Sequence, residues 1–269
     1  TVYSNPETEG NVYIAAENSA NLLILPTYSV YMRRFARYRY AMNGESLKGT
    51  INGAGPTWSG RPLFLNGWIW TYGQEYGLIM PKNDELFEYT HKVAGIGYPH
   101  IVRTEFTTDD VLLNRAEAKI MSGDIDGGIV DLQYWNASHR NQSNTPATLT
   151  NKAVKDFYTT GKSSFVFTFH NTELSPEFVI TPDQKPFVDC VLHFRRLERL
   201  FEGHRWFDLK RYGIEITHMV GREKQEMTLK YDSPYRAIQI PLDVIGAGLE
   251  PNPRIEANIN NNERLQLYY

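Results

Sequence analysis

The sequence predicts a mainly α-helical protein, its helices paired into tetratricopeptide-like hairpins that carry long, irregular, aromatic-rich loops and short strands. Three observations point there. Leu112, Leu113, Ala116 and Ile120, then Ile125, Ile129, Leu132 and Trp135, recur at helical spacing on either side of Gly123-Asp124. Pro186 opens a further helix, with Phe187, Val191, Leu197, Leu200 and Phe201 on its apolar side. From Gly44 to Gly77 glycines recur every few residues beside Pro56 and Pro62, which is loop chemistry.

In chain order, residues 1–106 form a loop- and strand-rich region, 107–213 the helical core and 214–269 an extended C-terminal segment. Thr27 to Tyr40 is dense in Tyr and Arg and has no helical period, so it reads as strand or loop. Thr107 and Asp110 have capping-box spacing at the start of the first helix. Gly123 suits the left-handed residue after that helix, and Asp124 caps the next. One such hairpin is visible, with no second copy at the repeat of about 34 residues typical of tetratricopeptides. Phe165 to Phe169 reads as a short strand, Gly203 as the close of the helix opened by Pro186, and Trp206 to Tyr212 as a short helix stopped by Gly213. The last fifty residues read as mostly extended, Tyr235 to Pro241 included.

Composition removes several functions. The net charge is −3 over 269 residues, which gives no global footprint for nucleic acid. The basic, aromatic run Arg33 to Tyr40 is therefore read as a solvated strand or loop. Cys190 is the sole cysteine, so neither an internal disulfide nor a multi-cysteine zinc site is available, and its apolar neighbours make it a core thiol. No apolar run reaches transmembrane length. The chain starts at Thr without a signal peptide, which suggests a processed or truncated form.

Gly44 to Thr50 resembles a phosphate loop but lacks the Lys after its second Gly. Asp124 to Gly127 begins like a calcium loop and then lacks the later oxygen ligands, so capping explains it. The seven His residues have no ligand spacing, so no metal and no cofactor are expected. Two glycosylation sequons begin at Asn136 and Asn141.

Glu198, Glu202, Arg205, Asp208 and Arg211 recur at steps of three or four and share a face if one helix runs through Gly203. Paired carboxylates are what a glycoside hydrolase requires. Here they stand among Arg195, Arg196, Arg199 and Arg205, so an ion-pair ladder is the favoured reading and no catalytic residue is assigned.

Aromatic residues supply the candidate binding surface. Seventeen Tyr, thirteen Phe and five Trp make up 13% of the chain. In an extended Trp68-Ile69-Trp70-Thr71-Tyr72 segment, Trp68, Trp70 and Tyr72 project to one side. A row of rings suits the C–H faces of pyranoses, with Asn66 and Gln74 near enough to bond hydroxyls and Trp58 as a further candidate. The alternative is that these rings pack the loop onto the helices.

Thr108-Asp109-Asp110-Val111-Leu112-Leu113-Asn114-Arg115-Ala116-Glu117-Ala118 resembles a helix signature of the SusD/RagB family, and Gly123-Asp124 with Asp131 to Arg140 is similar to the helix that follows it. Arg196 to Gly213, with Glu198-Arg199 and then Glu202-Gly203-His204-Arg205-Trp206-Phe207-Asp208-Leu209-Lys210-Arg211, resembles the family's strongest block. Tyr235 to Pro241 is similar to its closing Ile-Pro strand. The resemblance implies a tetratricopeptide-like scaffold in a surface lipoprotein. Such a protein is a non-enzymatic receptor that binds oligosaccharide or polysaccharide and lids a TonB-dependent outer-membrane porin. It also implies a location on the cell-surface side of the bacterial outer membrane, held by a lipid anchor that this chain lacks. In that picture Glu198, Glu202, Arg205 and Asp208 are scaffold. Family members are roughly double this length and end differently from Asn252-Pro253-Arg254, so the chain is expected to be a C-terminal half. A hydrolase, or a scaffold that carries peptide cargo, are the alternative readings.

Overall fold

The computed structural model describes residues 24–28, 50, 53–59, 68–72, 75–79, 86–139, 148–161, 163, 165–200, 202–220 and 225–254. The chain divides into two compact units, one of residues 1–166 with 181–202, the other of 167–180 with 203–269.

In the first unit, β1 (Ile24–Tyr28), β4 (Leu86–His91) and β5 (Ile96–Thr104) form an antiparallel sheet in the order β1-β5-β4. Strands β2 (Trp68–Tyr72) and β3 (Glu75–Ile79) pair antiparallel inside the stretch expected to be loop, so part of the glycine-rich region is a hairpin.

Helices α1 (Thr108–Met121) and α2 (Ile125–Ser138) form the expected hairpin. Thr107 accepts from the Asp110 N–H while Asp110 reaches back to the Thr107 N–H, so both halves of the capping box are present. Gly123 has φ +94°, and Asp124 accepts from the Gly127 N–H to start α2. A Cβ at Gly128 would stand 2.5 Å from the Ile120 side chain, so only Gly permits the two helices to approach this closely.

Helix α3 (Asn151–Thr159) and helix α5 (Lys185–Glu198) complete the core of this unit. Leu113, Ile120, Leu132, Trp135, Val154, Tyr158, Phe187, Val191 and Phe194 are buried there. Each large side chain of this kind contributes about 1.5–3 kcal/mol by leaving water. Gln184, just before α5, donates to the Ile120 and Met121 carbonyls at 3.0 and 3.1 Å and so satisfies the open end of α1.

Pro186 stands in the first turn of α5, as expected, but the helix closes at Arg199 rather than at Gly203. At that end Arg199 is buried and bound to Asp110 of α1 and to Glu202.

The second unit contains α4 (Asn171–Leu174), α6 (Arg205–Tyr212), an antiparallel hairpin of β6 (Ile216–Val220) and β7 (Gln225–Leu229), a 3-10 turn (Pro234–Arg236) and α7 (Leu242–Gly246). Its hub is Arg236, whose guanidinium donates to the carbonyls of Leu209, Ile214 and Lys230. This buried cation ties the end of α6 to the hairpin through charge-assisted bonds. Gly213 stops α6 at φ +64°, as expected.

The strand expected over Phe165 to Phe169 does not form among the described residues. Phe165 instead stacks on His193 at 3.5 Å in the first unit's core. The C-terminal segment is less extended than expected, because Tyr235 and Arg236 lie in the 3-10 turn that Arg236 bonds require. Helices carry the buried core of the first unit, and the fold is mainly α with small sheets.

Candidate functional site

The charged residues resolve into separate braces rather than one ladder. Because α5 ends at Glu198, the five residues read as one face do not share a helix. In the first unit Glu198 is buried, and its Oε2 accepts from Trp135 Nε1 at 3.0 Å and from His139 Nε2 at 2.8 Å. Glu202 pairs with Arg199. In the second unit Arg205 lies 3.6 Å from Asp208, and Arg211 places its guanidinium 5.0 Å from the Phe178 ring. Glu198 is thus an acceptor in a contact between α2 and α5, and Glu202 in a local pair with Arg199, which favours the scaffold reading over paired catalytic carboxylates.

Asp131 makes a comparable brace in the α1–α2 hairpin. Burial works against its charge, but bonds from Arg115 and Lys119, at 2.8 and 2.9 Å, outweigh it and hold the carboxyl below its usual value.

Asp109, His139 and Glu198 bring ligand-type atoms within 4.8 Å of one another. The His139 imidazole is bonded directly to Glu198, and its Nε2 lies 4.0 Å from Asp109. Burial disfavours its charge, but the Glu198 hydrogen bond and charge prevail, so its pKa is raised.

The aromatic candidates separate. Trp58 is buried: its ring stacks on Phe194 at 5.7 Å, lies 5.8 Å from His193, and its Nε1 donates to the Gly53 carbonyl at 3.0 Å. Core packing, the alternative reading of these rings, accounts for the position of Trp58. Trp68, Trp70 and Tyr72 occupy alternate positions of β2, in register with Ile79, Gly77 and Glu75 of β3. Asn66 and Gln74 lie outside the described residues. The sequon at Asn136 is unusable in the folded chain, because that side chain is fully buried and donates to Gln133. The sequon at Asn141 lies outside the described residues.

One aromatic cluster went unnoticed in the sequence. Tyr28 and Tyr98 are 59% and 54% exposed, with ring centroids 6.4 Å apart and planes at 71°. Tyr28 stands opposite His100 across β1 and β5, and Glu88 stands opposite Tyr98 across β4 and β5. His100 lies 3.5 Å from Glu88. The alternation on either side of Gly95 was a hairpin signal that could have brought Glu88, Tyr98 and His100 together.

The sequence pattern of the SusD family matches residues 31–241 of the chain. No curated protein and no solved structure matches it.

Proposed function

The chain belongs to the SusD family, and we propose that it is a non-enzymatic receptor that binds an oligosaccharide or polysaccharide through Trp68, Trp70 and Tyr72 and passes it to a TonB-dependent outer-membrane porin. Members of this family bind nutrients, glycans among them, at the cell surface. The observation that carries the reading for this chain is the alternation of Trp68, Trp70 and Tyr72 along a paired strand. In such a strand alternate residues project to one side, which is the arrangement a row of pyranose rings would stack on. Asn66 and Gln74 are the proposed hydroxyl partners.

The helical hairpin of α1 and α2 supports a tetratricopeptide-like scaffold. Among the described residues no helix is long and apolar enough to cross a membrane. The hydrolase alternative would have to use Glu198 and Glu202, and both already serve as braces.

A glycan array probed with the labelled chain and with the Trp68→Ala,Trp70→Ala variant tests the proposal. Binding to one class of saccharide that the variant loses is expected. Equal binding by the two proteins would overturn the assignment to β2.

A further inference from the structure

The β1-β5-β4 sheet carries, on one face, a cluster that the residues of β2 do not include. Residues opposite each other in an antiparallel pair project to the same side, as do residues two apart on one strand. Tyr28 opposite His100, and Glu88 opposite Tyr98, therefore bring Tyr28, Tyr98, Glu88 and His100 together. The reverse face differs: Phe87 and Tyr89 stack edge to face at 4.8 Å, opposite Pro99 and Gly97, which offer no polar side chain.

The two tyrosine planes meet at 71°, so they form a corner rather than a flat platform. A corner of two half-exposed rings presents one face and one edge, and suits a single apolar C–H face more than a long ribbon of stacked rings. Beside it the Glu88 side chain is 43% exposed and can accept hydrogen bonds from hydroxyls, while the His100 imidazole is 17% exposed and lies 3.5 Å from that carboxylate. Of these four side chains one is an acid and none is a fixed cation. An anionic ligand would meet the Glu88 charge with no guanidinium or ammonium in the cluster to offset it. A protein partner would need a far larger patch than two rings, a carboxylate and an imidazole.

The geometry points to a second saccharide subsite at Tyr28, Tyr98, Glu88 and His100, selective for one uncharged pyranose unit over a uronate. The assignment rests on the glycan-binding reading proposed above and extends it by a location and a ligand class. Ring stacking supplies the affinity, and Glu88, with His100 beside it, orients the hydroxyls.

The test is isothermal titration of the chain with a neutral oligosaccharide and with a uronate-containing one of equal length, drawn from the classes the array identifies. Tyr28→Ala,Tyr98→Ala and Tyr28→Phe,Tyr98→Phe are titrated beside it. These side chains are half-exposed, so unchanged circular dichroism is the control for folding. The expected result is neutral ligand bound at least about tenfold more weakly by the Ala variant, near-normal binding by the Phe variant, and weaker binding of the uronate. Neutral ligand bound equally by wild type and the Ala variant overturns the subsite while glycan binding itself stands. Preference for the uronate overturns the ligand class. An array on which wild type binds no saccharide overturns the glycan-binding reading and the subsite together.

Discussion

The indole N–H of Trp135 donates to Glu198 across 3.0 Å and joins α2 to α5 through a buried, charge-assisted bond. His139, one turn further along, stacks on the same indole at 4.4 Å and bonds the same carboxylate oxygen. The residue that a hydrolase would use as its acid or nucleophile is therefore the shared acceptor of two donors from one neighbouring helix.

Trp135→Phe keeps the ring stack and removes one donor from a buried carboxylate. The expected cost is about 1–3 kcal/mol, read as a lower urea midpoint with an unchanged slope. Wild-type stability in this variant would show that the bond contributes nothing.

His139 makes stability depend on pH. Its folded pKa is raised above the ordinary 6.5, so its contribution is complete below about that value and is lost as pH rises through the folded pKa. The melting temperature of wild type minus that of His139→Gln should be larger at pH 5.5 than at pH 9. A difference that grows with pH would contradict the sign.

Much of this brace was legible only in part. The capping box of Thr107 and Asp110 and the Gly123-Asp124 junction are local, so spacing alone located α1 and α2. The end of α5 is not local. At that end Arg199 binds Asp110, 89 positions earlier, a contact no sequence window contains, and the charge spacing reads instead as an unbroken helix as far as Gly203. Trp58 illustrates the same limit at the site. Its neighbours in sequence are glycine-rich loop, while the ring that covers it belongs to Phe194.

Trp58→Ala should behave as a core deletion. Removing a buried indole costs about 3–5 kcal/mol, measured by denaturant unfolding. Loss of saccharide binding with an unchanged unfolding midpoint would instead return Trp58 to the ligand surface.

Gly213→Ala should weaken the second unit. Its φ is +64°, and an added Cβ would stand 2.8 Å from the His170 Cβ. Backbone strain alone predicts about 1–2 kcal/mol, with the clash added to it. Hydrogen exchange should show the amides of α6 opening more readily, and unchanged protection there would contradict the prediction.

The most direct measurement is affinity electrophoresis of the chain through gels that hold single polysaccharides, with reducing-sugar release assayed on the same mixtures. Retardation by at least one polysaccharide, without released sugar and lost in Trp68→Ala,Trp70→Ala, is the predicted result. Sugar release that Glu198→Gln abolishes would contradict the account and make the chain a hydrolase.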